Sequence, residues 1–542
     1  MPDTHIVTNQ VPELVDHNPA ASPVLVEALI REGGGWGLDE VTELGALSGG
    51  VTAQRWGDLA DRNRPVLHTH DRYGNRIDEI EYDPAYHELM RTAIAHGLHA
   101  APWADERPGA HVVRAAKMGV WTPEPGHVCP ISMTYAVVPA LRHNPELAEV
   151  YEPLLTSRAY DPELKIPTTK AGITAGMSMT EKQGGSDVRA GTTAALPNAD
   201  GSYSITGHKW FTSAAMSDVF LVLAQAPGGL SCFLMPRVLP DGTRNRMLLQ
   251  RLKNKLGNHA NASSEVEYDG AVAWLVGEEG RGVPTIIEMV NLTRLDCTLG
   301  SATSMRQGLT RAMHHAAHRK AFGAYLIDQP LMRNVLADLA VEAEAATIIA
   351  MRMAGATDAA TRGDERETLL RRIGLAAAKY WVCKRATPHA AEAMECLGGN
   401  GYAEDSGMPR LYREAPLMGI WEGSGNVSAL DALRAMATRP ECVEVLFDEL
   451  GATAGLDARL DVHVDALRGD LADPTNIEYR ARKVAEDITL ALQGSLLVRH
   501  GHPAVTEVFL ATRMARDWGG AFGTLPVGLD LAPIIERALV KG

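Results

Sequence analysis

The apolar pattern of the chain changes twice along its length, and this order limits the fold more than any single motif does. Residues 1–175 carry apolar residues mainly at helical spacing, as in 89–101. Residues 176–282 instead hold short β-prone runs such as 220–223, separated by turn-forming residues. Helical spacing returns at residue 283 in long alanine-rich stretches. A sheet placed between helical segments is typical of neither a parallel α/β fold nor a simple bundle, so we predict an α+β fold.

The same changes divide the chain into four predicted domains. They are an N-terminal helical domain (1–175), an antiparallel β-sheet domain (176–282), a helical bundle (283–439) and a helical extension (440–542). A chain of 542 residues is long enough to bury several hydrophobic cores, which is why a single domain is not expected.

Composition and charge describe a globular chain without a membrane segment. Lys and Arg number 52 against 67 Asp and Glu, and the formal net charge of -15 repels nucleic-acid backbones unless a local basic patch offsets it. The six cysteines form no CxxC pair, which favours a reducing compartment over a disulfide framework or a zinc site. The polar first residues and the lack of a long apolar run predict a cytoplasmic protein without signal peptide or membrane association.

A glycine-rich polar segment, Met-Thr-Glu-Lys-Gln-Gly-Gly-Ser-Asp, occupies residues 179–187 where the sheet domain begins. Its small residues let the backbone approach a planar or anionic ligand and offer N–H and hydroxyl donors. An ordinary surface turn is the alternative, because Gly-Gly-Ser-Asp is common in loops. Considered alone, the segment favours the turn.

A second segment, Gly-His-Lys-Trp-Phe-Thr-Ser at 207–213, ends a predicted strand. Its aromatic side chains could pack on a planar ring while a hydroxyl or a backbone N–H reaches the ring edge. The alternative is a half-buried strand whose aromatic residues belong to the core. By itself, this segment also favours the structural interpretation.

A third segment, Trp-Glu-Gly-Ser-Gly-Asn at 421–426, precedes a helical run. Glu422 lies between an aromatic residue and a glycine, where desolvation could raise its pKa towards that of a working base. Ser424 or Asn426 could cap the following helix. The alternative is that Glu422 is an acidic residue favoured by the helix dipole.

Two other patterns are set aside. The glycine-rich stretch at 398–401 follows a predicted helix rather than a strand, so a dinucleotide-binding loop is not predicted there. His314 and His318 have the i, i+4 spacing of a metal pair, but no third ligand accompanies them and no metal site is predicted.

Together, the motifs occur in the order and approximate spacing seen in acyl-CoA dehydrogenases, and the chain resembles that family. Five segments carry the resemblance: Thr-Glu and Gly-Ser-Asp within 180–187, Gly-x-Lys-x-Phe-x-Ser at 207–213, Arg-x-x-Phe-Gly at 319–323, Leu-Gly-Gly-Asn-Gly-Tyr at 397–402, and Trp-Glu-Gly-Ser at 421–424. The variants at 179–187, 251–258 and 420–426 resemble the AidB-like branch, which is associated with the adaptive response to DNA alkylation.

The resemblance implies FAD as the cofactor and assigns roles to individual residues. The flavin-binding residues would be Met179, Thr180, Gly185, Ser186, Phe211, Ser213, Trp421, Gly423, Ser424 and Asn426. Arg319, Phe322 and Gln329 would reach the FAD of a neighbouring subunit, which implies a homo-oligomer, as in the tetramers of this family. Glu422 would remove the α-proton of an acyl-CoA as the β-hydrogen leaves as hydride to flavin N5.

Two features bear on which function the chain performs. Trp421 replaces a tyrosine of the family and adds bulk beside the base, which predicts weak acyl-CoA dehydrogenase activity. The stretch 437–542 holds 11 Lys and Arg against 16 Asp and Glu, a net charge of -5. Arg513 and Arg516 are its candidate contacts to double-stranded DNA, although solvated helix faces explain them equally well.

Three functions therefore stay open at the level of sequence. The first is an FAD-binding flavoprotein of the alkylation response that also binds DNA and has weak dehydrogenase activity. The second is a working acyl-CoA dehydrogenase with an unidentified acyl substrate. The third is a flavoprotein whose extension serves only the assembly of subunits.

Overall fold

The structure, a computed structural model, describes residues 4–539 and confirms the predicted order of helices, sheet and helices. In this part of the chain, no helix combines the length and the apolarity needed to cross a bilayer. The α-helices are α1 (Pro23–Arg31), α2 (Leu38–Gly49), α3 (Val51–Arg62), α4 (Pro84–Ala95), α5 (Ala110–Val120), α6 (Val128–Leu141), α7 (Pro145–Thr156), α8 (Gly282–His318), α9 (Pro330–Thr361), α10 (Glu365–Glu395), α11 (Met408–Met418), α12 (Gly425–Thr438), α13 (Glu441–Gly451), α14 (Ala458–Ala472), α15 (Ile477–His500), α16 (Pro503–Phe509) and α17 (Ala532–Ala538).

The strands form one large sheet and two small hairpins. They are β1 (Val66–His70), β2 (Arg76–Glu81), β3 (Ala175–Ser178), β4 (Ala194–Pro197), β5 (Tyr203–Thr212), β6 (Val219–Ala226), β7 (Gly229–Pro236), β8 (Met247–Leu252), β9 (Ser264–Val276), β10 (Lys320–Ala321) and β11 (Ala324–Tyr325). Strands β1 and β2 pair with each other, as do β10 and β11, and the other seven strands form the large sheet.

The large sheet closes on itself because strand β6 has three neighbours. One half of β6 pairs in parallel with β3, a residue near its end pairs with β4, and its whole length pairs antiparallel with β7. The ring β6–β4–β5–β9–β7 therefore returns to β6, and β8 joins at β9. Apolar side chains such as Ile205, Phe220, Val222 and Phe233 are fully buried inside it, and each contributes roughly 1.5–3 kcal/mol by leaving water.

A β-bulge interrupts strand β5 at the segment singled out in the sequence. Lys209 pairs with Val266 and Thr212 pairs with Ser264, so β5 carries one more residue than β9 between these two pairs. A bulge bends its strand and redirects the side chains within it. Phe211 lies in this bulge and is 52% exposed, whereas the adjacent Thr212 is buried.

The chain folds into two compact units. Residues 51–110 and 121–296 form the sheet-containing unit, whereas residues 4–50, 111–120 and 297–539 form the helical unit. The four domains predicted from the sequence follow changes in secondary structure. The boundaries of the two compact units do not coincide with those changes, so the four-domain division stays a prediction.

Two local features differ from the sequence expectations. The helix expected over 89–101 ends at Ala95 in α4, and Gly97 follows with a φ of +75°, a conformation that glycine adopts without strain. The hairpin of β1 and β2 lies within the stretch predicted to be helical. Strand β1 alternates between exposed and half-buried residues, so it lacks the apolar run that marks a strand in sequence.

The extension packs within the helical unit rather than standing apart. Helix α15 lies against α9, α10 and α12. Arg352 of α9 donates hydrogen bonds to Glu367 of α10 (2.7 Å) and to Glu449 of α13 (3.3 Å). Arg499 of α15 also donates to Glu449 (2.9 Å). The predicted helical character of this segment is therefore confirmed, and half-buried arginines tie it to the preceding helices.

Candidate functional site

The glycine-rich segment follows strand β3 as an exposed loop. Met179 and Thr180 are half-buried, whereas Gly185 and Ser186 are exposed. A Cβ atom on Gly185 would lie 2.6 Å from the Thr180 hydroxyl oxygen. Any larger residue at position 185 would therefore clash with Thr180. Gly184 has a φ of +147°, which side chains rarely permit. The loop therefore needs both glycines and presents backbone groups and a hydroxyl to the outside.

Glu181 anchors this loop to the large closed sheet. Its side chain is 2% exposed and accepts hydrogen bonds from the Lys209 ammonium (2.9 Å) and from the backbone N–H groups of Thr192 (2.7 Å) and Thr193 (3.1 Å). Burial alone would raise the pKa of Glu181, but the hydrogen bonds from Lys209 and Thr192 outweigh it and hold the pKa well below its usual range. The carboxylate is thus ionised and fixes the base of an otherwise exposed loop.

The end of strand β5 is joined to the same loop. The backbone N–H of Trp210 donates to the carbonyl oxygen of Thr180 (2.8 Å). Phe211 projects from the bulge beside this contact, and Ser213 is half-buried with its hydroxyl 3.3 Å from that of Ser263. The structure therefore brings together the two segments that the sequence offered as separate candidates.

These residues fit the isoalloxazine and phosphate parts of FAD. An exposed phenylalanine supplies a flat apolar face, and the glycine loop supplies N–H donors of the kind that bind anions. Met179, Thr180, Gly185, Ser186, Phe211 and Ser213 lie within one compact unit on the segments just described. Their individual contacts to FAD remain predictions.

The segment carrying Glu422 forms a strained turn between helices α11 and α12. Glu422 has a φ of +56° and Gly423 a φ of +104°. A left-handed conformation at a residue with a side chain is unfavourable and persists where the surroundings enforce it, often at functional sites. Trp421, Glu422 and Gly423 are all half-buried. The turn thus holds the predicted base in one defined orientation within the helical unit.

Lys379 of helix α10 lies beneath this turn. Its side chain is about 1% exposed, and the ammonium group donates a hydrogen bond to the carbonyl oxygen of Gly423. A buried ammonium group requires such a partner. Lys379 was not predicted as a site residue, although a charged residue directly after the apolar run Ala376, Ala377 and Ala378 was a usable signal.

The residues after the turn begin helix α12. Ser424 occupies the N-cap position without a side-chain cap, so its expected capping hydrogen bond is not formed. Asn426 is exposed, and its side-chain oxygen accepts a hydrogen bond from Arg482 of α15 (2.8 Å). The extension therefore contacts a residue predicted to bind FAD. Arg482 was not predicted to have this role.

The residues predicted to reach a neighbouring subunit occur at the β10–β11 hairpin. Phe322 is fully exposed with a φ of +52°, at the tip of the turn. Arg319 donates to the carbonyl oxygen of Asn9, and the Gln329 amide donates to the carbonyl oxygen of Ala321 (3.2 Å). An exposed phenylalanine fixed on a short hairpin is suited to contact another protein surface.

Arg513 does not have the exposure that a DNA contact requires. It is 6% exposed and donates to Asp338 (2.6 Å) and Glu342 (2.9 Å), and its guanidinium lies over the ring of Trp518. This burial corrects the expectation that Arg513 contacts DNA, because the residue neutralises carboxylates inside the helical unit. Arg516, in contrast, is exposed.

The contribution of the Glu181 carboxylate to the flavin loop can be tested by replacing it. Replacement Glu181→Gln leaves the Lys209 ammonium buried without its counter-charge, which costs roughly 3–5 kcal/mol. We expect a lower melting temperature of the FAD-free protein by calorimetry and weaker FAD binding by fluorescence titration. Because the folded pKa of Glu181 is depressed, the difference from wild type should be full above pH 4.5, its ordinary pKa, and should shrink below it.

The matched control for this change is Glu267→Gln, an exposed glutamate on β9. It should leave both melting temperature and FAD affinity unchanged. Equal behaviour of the two variants would contradict the anchoring role of Glu181.

Comparison with known proteins matches three family models along the chain. They are the adaptive response protein AidB N-terminal domain (residues 9–162), the acyl-CoA dehydrogenase middle domain (176–271) and the acyl-CoA dehydrogenase C-terminal domain (280–437). AidB of Escherichia coli (strain K12) is 43% identical over 511 residues, which cover 93% of this chain and 94% of that protein. Acyl-CoA dehydrogenase family member 11 of Caenorhabditis elegans is 31% identical over 481 residues, covering 82% and 77%.

The fold has the same relatives. The crystal structure of Caenorhabditis elegans ACDH-11 in complex with C11-CoA matches with a TM-score of 0.86 and 28% identity, covering 95% of this chain and 94% of that one. The predicted fold, the predicted resemblance and FAD as the cofactor are thereby confirmed. The chain belongs to the acyl-CoA dehydrogenase family, in its AidB-like branch, and is an FAD-dependent oxidoreductase of the kind that acts on CH–CH groups.

Proposed function

We propose that the chain is an AidB-like flavoprotein that oxidises the Cα–Cβ bond of an acyl-CoA slowly, with Glu422 as the base. The carboxylate of Glu422 removes the proton from Cα, and the double bond forms as the β-hydrogen leaves with its electron pair. FAD, when bound, supplies the acceptor for that hydride. The products balance as an enoyl-CoA, a reduced cofactor and one proton on Glu422.

The observation that carries this proposal is the backbone of the turn at Glu422. The left-handed φ of +56° is imposed on a residue with a full side chain. The buried Lys379 holds the next carbonyl group, that of Gly423, so the strain is maintained from below. A surface glutamate that served only the helix dipole would not require this conformation. Support for an acyl-CoA as the ligand class comes from ACDH-11, which was solved with C11-CoA.

Trp421 is the reason for proposing slow turnover. The indole is half-buried directly before the base, and it is larger than the tyrosine that is usual in the family. Restricted space beside Glu422 lowers the fraction of bound thioesters whose α-carbon meets the carboxylate correctly, and such misplacement reduces rates strongly. Oxidation of short or narrow acyl groups is therefore favoured over that of bulky ones.

The proposal extends to a homotetramer located in the cytoplasm. The exposed Phe322 on its hairpin, flanked by Arg319 and Gln329, is suited to reach the FAD of a neighbouring subunit. All six cysteines are buried free thiols, as suits a reducing compartment.

Replacement Glu422→Gln tests the assignment of the base. The amide keeps the size of the side chain but cannot accept the α-proton, so we expect bound FAD to remain and its bleaching by acyl-CoA to slow by roughly 10²–10⁴-fold. The measurement is anaerobic stopped-flow absorbance with a panel of acyl-CoAs.

The control for this test is Glu444→Gln, an exposed glutamate of α13. Its bleaching rate should equal that of wild type. If Glu422→Gln bleaches as fast as wild type with an acyl-CoA that wild type oxidises, Glu422 is not the base.

DNA binding within the alkylation response is a second candidate function, favoured by the exposure of Arg516 in the extension. We expect weak binding of duplex DNA that falls steeply with salt, because phosphate contacts release counterions. Fluorescence anisotropy at low salt should show a several-fold loss for Arg516→Ala. The exposed Arg434→Ala, on α12 outside the extension, should leave the affinity unchanged. Absence of any binding at low salt would refute this function.

A further inference from the structure

A cavity of about 400 Å³ lies within the sheet-containing unit, apart from the proposed flavin residues. Its walls come from the end of strand β2, the start of helix α4, the loop around residues 160–164 and the turn before strand β6. Among the described residues that line it, none belongs to the flavin set. Its volume is within the range of small-molecule sites.

Aromatic rings form one side of the cavity. The rings of Tyr82 and Tyr86 stack with centroids 4.2 Å apart. The ring of Tyr160 lies 6.0 Å from that of His87, and the Tyr160 hydroxyl hydrogen-bonds with His87 Nδ1 (2.9 Å). The guanidinium of Arg91 already lies 5.9 Å from the Tyr160 ring centre, which shows that this ring accepts a cation on one face.

The charged residues of the cavity are all acidic. The carboxylates are those of Glu79, Glu81, Asp161, Glu163 and Asp218, and the described lining contains neither Lys nor Arg. Burial lowers the pKa of His87 from its ordinary value and so favours the neutral ring over the cation.

The partners of these carboxylates lie outside the lining. Lys170 pairs with the buried Asp218 (2.7 Å), and Lys165 pairs with Asp161 (2.8 Å) and Glu163 (3.1 Å) at the surface. Arg244 pairs with Glu79, and His68 Nε2 hydrogen-bonds with Glu81 (2.9 Å), both also at the surface. Surface pairs of this kind are weak in water. The rim therefore still favours cations.

Ser217 supplies an independent indication of a ligand. It is 3% exposed, lines the cavity, and its hydroxyl has no hydrogen-bond partner in the structure. Its backbone N–H is satisfied by the carbonyl oxygen of Ala214 (2.8 Å), so only the side chain lacks a partner. A buried hydroxyl without a partner costs about 1–3 kcal/mol. A ligand with an N–H donor at this position would remove that penalty.

We propose that this cavity binds a small protonated amine. The ammonium N–H groups donate to the Ser217 hydroxyl, the carboxylates balance the charge, and the methylene groups pack on the tyrosine rings. An anion is repelled by the rim, and a neutral alcohol of the same shape lacks the charge that the rim attracts. This site is independent of the proposed acyl-CoA oxidation and goes beyond it.

The test is calorimetric titration of the full-length protein with propylamine, putrescine and spermidine, using propanol and propionate as matched neutral and anionic probes. At least one amine should bind with release or uptake of heat, and neither control probe should bind. Ser217→Ala should weaken amine binding roughly two- to tenfold, as expected for one hydrogen bond. Because this hydroxyl makes no hydrogen bond in the ligand-free fold and its burial is unfavourable, the variant should melt at or above the wild-type temperature.

Two further variants separate ring and charge from general destabilisation. Tyr160→Leu and Glu81→Gln should both weaken amine binding. Their matched controls outside the cavity, Tyr73→Leu and Glu267→Gln, are exposed residues and should not change it. Failure of all three amines to bind overturns the proposal. Binding that propanol matches, or that Ser217→Ala leaves unchanged, overturns it as well.

Discussion

The buried ion pair between Glu181 and Lys209 is the constraint on which the flavin loop depends. An exposed loop with two glycines has many accessible conformations, and ordering it requires contacts that offset the lost entropy. Glu181 provides them from below, through Lys209 and the N–H groups of Thr192 and Thr193. Lys379 acts similarly in the helical unit, where it holds the carbonyl group of Gly423. In each unit a buried lysine fixes a segment whose exposed atoms are left for a ligand.

The order of helices and sheet could be predicted because short apolar β-prone runs alternate with long alanine-rich stretches. Residues 220–223 are such a run and α10 contains such a stretch, and the structure has a strand and a helix there. The β1–β2 hairpin could not be predicted, since β1 has no fully buried residue and β2 buries the acidic Asp78 as well as Ile80, which leaves no apolar pattern. The bulge at Phe211 was also hidden, because it depends on the pairing of β5 with β9 across more than fifty residues.

Some site residues could be predicted from the sequence and others could not. Short motifs selected Thr180, Gly185 and Glu422, whose neighbours in sequence supply their surroundings. Motifs could not select Arg482, which meets Asn426 56 positions earlier in the chain. The burial of Arg513 against Asp338 is another contact set by helix packing, 175 positions apart. A basic residue in a helical extension is therefore a weak sign of DNA binding until its partners are known.

The loop at residues 179–187 and the end of strand β5 are the segments that we expect to hold FAD. The most direct measurement is the visible absorbance spectrum of the purified full-length protein, before and after incubation with FAD and removal of the unbound cofactor. We expect a flavin absorbance band that stays with the protein in roughly one copy per chain, as a single FAD site requires. A colourless protein that remains empty after incubation with FAD would contradict this expectation.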